Sequence, residues 1–133
     1  MKEKVREWIE LAFLDLTAAE RLLDDENLTT IISFHAHQCV EKSFKAIIEM
    51  QDAHVPKIHD LSRLFSEISG KNSLKVDLDI LDELSRLYID SRYPALTGLM
   101  PYGRPSIVDA EKYVIFAREL HARIIALVKK HSY

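Results

Sequence analysis

Residues 106–130 read SIVDAEKYVIFARELHARIIALVKK. Ala110, Val114, Ala117, Leu120, Ile124 and Val128 recur at spacings of three and four, the signature of one helix face. The stretch shows no period-two alternation of the kind a half-buried strand requires. Ser106-x-x-Asp109 resembles a capping box, with Asp replacing the usual Glu, and marks the start of a helix running to about Lys130. A helix with one apolar stripe must bury it against other elements, so the rest of the chain decides whether those are helices or strands.

The same period recurs upstream. Ile80, Leu81, Leu84, Leu87 and Tyr88 mark a helix that must end near Tyr93, because Pro94 disfavours the α region in the residue before it. His59-Asp60-Leu61 opens a short helix with Asp60 as N-cap and Gly70 as the glycine just past its end, followed by a polar linker to Asp77. Another helix is expected from about Leu28 to Gln51, capped by Thr29 or Thr30, with Ile32, Cys39, Val40, Ile47 and Ile48 on its buried side. The first helix runs from about Glu3 to Leu23, with its stripe at Ile9, Ala12, Leu16, Ala19 and Leu23. Leu11, Phe13 and Leu14 fall off that stripe, which places the helix at the centre of a bundle or at an interface.

Composition agrees. The 133 residues include three glycines and four prolines, about 5% against roughly 12% in average usage. Five of those seven lie between Pro94 and Pro105, so the chain lacks the regularly spaced turn residues of a sandwich or barrel. The expected fold is all-α with five helices in one domain spanning residues 1–133. No apolar run approaches the ~20 residues of a membrane helix. The charged N-terminus does not read as a signal segment. The single cysteine, Cys39, excludes an internal disulfide. The expected compartment is the cytoplasm. A net charge of −3, from 18 basic and 21 acidic side chains, speaks against a protein that coats nucleic acid through a general basic surplus.

Metal and cofactor chemistry find little support. His35 and His37 are two apart and project about 200° from each other on a helix, so they cannot chelate one ion; one is expected inward and the other outward. His35 and Cys39 share a face, but no oxyanion loop accompanies them, and Cys39 falls on the core stripe. With three glycines the chain carries neither a G-x-x-x-x-G-K loop nor G-x-G-x-x-G. No cofactor and no metal are expected. The polar stripe His37, Gln38, Glu41, Lys42, Lys45 and Glu49 reads either as a solvated face or as a surface serving a partner or nucleotide. The segment from Ser91-Arg92-Tyr93-Pro94 to Tyr102-Gly103-Arg104-Pro105 sets two Arg and two Tyr around a Pro-rich loop. Guanidinium suits phosphate and Tyr suits base stacking. Alternatively the tyrosines pack the loop down and Arg92 caps the carbonyls at a helix end.

Four pieces now stand in order: Trp8 with Ala12, Asp15-Leu16 and Ala19; Gln38-x-x-Glu41-Lys42 with Lys45-Ala46; His59-Asp60-Leu61; and Arg92-Tyr93-Pro94 before a last long helix. Together they resemble the HEPN domain, the higher eukaryotes and prokaryotes nucleotide-binding family, over nearly the whole chain. The resemblance implies an up-and-down bundle of four long helices plus one short helix. It also implies a homodimer, which accounts for the extra apolar face of the first helix. Prokaryotic members of this size are often paired with a minimal nucleotidyltransferase in toxin–antitoxin systems. Many members are metal-independent endoribonucleases with an Arg-x(4–6)-His motif, and here the chain departs. Arg92 is followed at those offsets by Thr97, Gly98 and Leu99, and no histidine lies between His59 and His121. The expectation is therefore a non-catalytic dimeric module that partners a nucleotidyltransferase-type protein and binds a nucleotide or RNA through Arg92, Tyr93, Tyr102, Arg104, Lys42 and Lys45. The alternative is an endoribonuclease toxin using residues such as Arg92, Tyr93 or His59, and His59 serves only if its helix packs against the Pro-rich loop that follows Arg92.

Overall fold

The computed structural model describes residues 1–92 and 104–131. Among them are five α-helices and no strand: α1 (Glu3–Leu22), α2 (Thr29–Met50), α3 (Leu61–Ile68), α4 (Leu78–Arg92) and α5 (Ile107–Lys130). They form an up-and-down bundle of four long helices with the short α3 at its side. Lys2 reaches Asp52 and Asp15 reaches His35, so α1 and α2 form an antiparallel hairpin. α5 closes back on α1, antiparallel to it, through Arg118 on Glu20 and His121 on the Ile9 carbonyl.

α2 is the central element, packing against α1, α3, α4 and α5. Its Ile32, Ala36, Val40, Phe44 and Ile47 are fully buried. α1 meets it with the small side chains Ala12 and Ala19, which let the two helices approach closely, and with Leu16. Leu61, Leu64 and Ile68 of α3, Leu81 and Leu84 of α4, and Val114, Leu120 and Ile124 of α5 complete one core. No helix among the described residues is long and apolar enough to cross a membrane.

Helix starts follow the sequence at two of three places. Asp60 accepts the Arg63 N–H at 3.1 Å and Ser106 accepts the Asp109 N–H at 3.0 Å. Gly70 has φ +83°, the left-handed conformation that ends α3 without a Cβ penalty. The α2 start differs from expectation. Neither Thr29 nor Thr30 caps it; Thr29 is already the first helical residue. The cap lies upstream, at Asp25: its side chain accepts the Asn27 N–H at 2.9 Å and opens a 3₁₀ turn, Glu26–Leu28, that feeds directly into α2.

Candidate functional site

His37, Glu41 and Lys45 are spaced by four and share one line along α2. The structure does not leave that line to solvent. The three residues are 0%, 4% and 6% exposed, because the chain leading into α3 lies across Glu41 while α4 covers His37 with Tyr88. A carboxylate taken out of water requires charged or hydrogen-bonding partners. Glu41 has two: Lys45 Nζ donates to Oε2 at 3.1 Å, and His59 Nδ1 donates to Oε1 at 2.9 Å. Lys45 is in addition seated over the Trp8 ring, 5.6 Å from its centroid.

The backbone at His59 is fixed as firmly as its ring. His37 Nε2–H donates to the His59 carbonyl at 2.9 Å. This sets the His37 tautomer, so Nδ1 accepts the Gln38 amide at 3.3 Å. Burial holds His37 neutral, lowering its pKa to about 4, with the Glu41 charge opposing the shift only in part. Two residues on, the Leu61 N–H donates to Ser85 Oγ of α4 at 3.0 Å. His59 is thus anchored from α2, and the start of α3 from α4. Its own side chain remains 47% exposed.

An aromatic row borders this anchor. Tyr88 stacks on His37 with ring centroids 4.3 Å apart and on Phe34 at 5.9 Å, both nearly parallel. His59 leans on Tyr88 at 5.3 Å. Phe34 and His59 are the partly open members; Tyr88 and His37 are buried. Arg92 lies one helical turn beyond Tyr88 at the end of α4. The loop against which His59 would have to pack to serve in catalysis lies outside the described residues.

On the opposite edge of α2, Asp15 of α1 bridges two residues. Its Oδ1 takes His35 Nδ1 at 2.9 Å and its Oδ2 takes Lys42 Nζ at 2.6 Å. As expected, His37 is inward and His35 partly open. Among the described residues no group of His, Cys, Asp and Glu side chains is arranged to hold a metal ion. Cys39 is buried beneath them, and burial pushes its thiol up to about 12, so it carries no thiolate.

Of the residues singled out for binding, Lys42 and Lys45 are engaged in these ion pairs and do not stand as free cations. Arg104 is exposed just ahead of α5. Arg92 closes α4. Tyr93 and Tyr102 lie outside the described residues. What sequence reasoning missed is the convergence on Glu41 and the role of Tyr88. The His37-x(3)-Glu41-x(3)-Lys45 spacing was visible, but its burial depends on where α3 lands.

The profile of the HEPN domain family matches residues 5–130. Among solved structures, TT1696 from Thermus thermophilus shares 23% identity, with a TM-score of 0.70 over 98% of this chain and 99% of that one. ST0689, described as an archaeal HEPN homologue, shares 25% identity, with a TM-score of 0.67 over 96% of this chain and 99% of the other. Comparison with curated proteins finds no match.

Proposed function

Because the chain belongs to the HEPN family, we propose that it is a cytoplasmic, dimeric binding module that takes a nucleotide or RNA strand at the α2–α3–α4 junction and acts with a nucleotidyltransferase-type partner in a toxin–antitoxin-like pair. The observation that carries the binding half is the aromatic row of Phe34, Tyr88 and His59, open at its two ends and bordering the last turn of α4. A nucleobase stacks on such a surface for about 1–3 kcal/mol. Arg92, one turn beyond Tyr88, and Arg104, ahead of α5, supply guanidinium groups for phosphate. The dimeric half is supported by Leu11, Phe13 and Leu14, which are 44%, 53% and 62% exposed on α1.

The affinity of the chain alone is modest under this reading. Two arginines give a few charge-assisted contacts of about 1.5–3 kcal/mol each before ordering costs, and few counterions are released, so salt weakens binding with a shallow slope. Calorimetric titration with ATP and with a short single-stranded RNA tests it. Binding that tightens with the partner present, and that Arg92→Ala with Arg104→Ala abolishes at unchanged helix content, is expected. No heat with either ligand, alone or with the partner, refutes it.

A further inference from the structure

His59 is built unlike a surface histidine that happens to meet a carboxylate. Three anchors converge on its neighbourhood: Glu41 on its ring, His37 on its carbonyl, and Ser85 on the backbone two residues further. Glu41 takes the Nδ1–H, which leaves Nε2 without a partner among the described residues and able to donate once the ring is protonated.

The charges around it have a direction. Glu41 is one buried negative charge, and Lys45 already neutralises it from the far oxygen at 3.1 Å. A protonated His59 therefore leaves the trio with one surplus positive charge. Lys45 is buried beneath Trp8, so the only member through which that surplus meets solvent is His59. Of the groups facing it, His37 on α2 stays neutral and Tyr88 on α4 offers its ring, while Asp60, next in the chain, is a carboxylate outside the trio whose Oδ1 accepts the Arg63 N–H.

We propose that His59 is a phosphate-contacting residue, with its Nε2–H donating to a phosphate oxygen of a nucleotide or RNA strand whose base rests on the adjoining aromatic row, and with Glu41 as the residue that positions it. The identity of the ligand rests on the reading above; the assignment of the contact does not. Its consequence is binding that depends on the protonation of one imidazole, in addition to the permanent charge of the arginines. A cation held in place before the ligand arrives loses little entropy on binding, which a flexible surface lysine cannot match.

The test uses the full chain with a short single-stranded RNA and, separately, inorganic phosphate. His59→Gln removes the charge and keeps a neutral donor of similar reach for Glu41, and circular dichroism with a thermal melt checks that the fold is retained. RNA affinity is expected to fall about 10- to 100-fold in His59→Gln, as for loss of one charge-assisted bond. In the wild type the affinity follows the His59 titration, read by NMR on the same sample, and in the variant that dependence is lost. Wild type and variant binding RNA equally at every pH overturns the proposal and leaves the binding function standing. If the wild type binds no RNA, the functional reading fails instead, and the phosphate arm decides. Phosphate that shifts the His59 ring resonances, and does so less once the imidazole is neutral, supports the site, whereas resonances unmoved by phosphate overturn it.

Discussion

Protonating His37 works against its burial. In the unfolded chain this histidine titrates near the ordinary value of 6.5, whereas in the fold its pKa is lowered to about 4. Between those values the unfolded state binds a proton that the native state does not, so stability rises with pH through this window and is lost as pH falls. Above the unfolded value both states are neutral and the group contributes no slope. At about 1.4 kcal/mol per unit, the loss approaches roughly 3 kcal/mol by the bottom of the window, a large share of the 5–15 kcal/mol that holds a small domain together. Chemical denaturation at pH 7 and at pH 5 should therefore show a clear drop in the wild type. His37→Gln keeps an amide donor for the His59 carbonyl and cannot titrate, so it should be less stable at pH 7 but flatter with pH. An unchanged slope in that variant would assign the acid sensitivity to other groups.

At the scale of elements, α1 carries two different faces. Ala12, Leu16 and Ala19 are turned into the bundle, while Leu14, 62% exposed, lies on the side away from it. Burying such a side chain fully against a second copy would contribute about 1.5–3 kcal/mol, the gain on which a dimer through this face would draw. Leu14→Asp should leave circular dichroism and thermal melting nearly unchanged and convert a dimer to a monomer in light scattering. A wild type already monomeric at micromolar concentration would remove the reason for that face. The elements themselves were legible because helix-forming information is local: stripes of period 3.6, Asp60 and Ser106 as caps, and Gly70 at a helix end. The start of α2 is the exception. Thr29 and Thr30 have the right chemistry at nearly the right place, yet Asp25 opens a preceding 3₁₀ turn that makes a threonine cap unnecessary. The site was legible only in pieces. His59-Asp60-Leu61 shows a helix start in sequence, but that His59 falls on Glu41 of α2, 18 residues earlier, is a fact of tertiary packing. Lys45 stands in sequence at the i, i+4 spacing that pairs it with Glu41, but its burial over the Trp8 ring is likewise a fact of packing.

The whole molecule poses the question of whether this site only binds or also cuts. Scission of RNA through its 2′-OH needs a base to take that proton, an acid to protonate the leaving oxygen, and positive charge for the developing phosphorane. The bundle brings one candidate proton carrier to the α2–α3–α4 junction, His59 held by Glu41, and guanidinium groups at Arg92 and Arg104 are candidates for the charge. It does not supply the second carrier there. His37 is buried and committed to the His59 carbonyl. His35 meets the Phe34 ring edge-on at 5.5 Å, but its Nδ1 is bound to Asp15 on the other edge of α2. The Arg-x(4–6)-His spacing that would add a histidine near Arg92 is missing from the sequence. General acid–base help is worth roughly 10²–10⁴ in rate per positioned group, so a site with one carrier of two should bind RNA and turn it over far below ordinary enzyme rates. The purified chain incubated with labelled single-stranded RNA in the presence of a chelator should therefore leave it intact over the period in which a ribonuclease of this family's usual motif would consume it. Metal-independent cleavage at enzyme-like rates, ending in 2′,3′-cyclic phosphate and lost in both His59→Gln and Arg92→Ala, would decide for the endoribonuclease alternative. Cleavage that persists in His59→Gln would point to His35, whose ring meets Phe34 edge-on at 5.5 Å, or away from this junction.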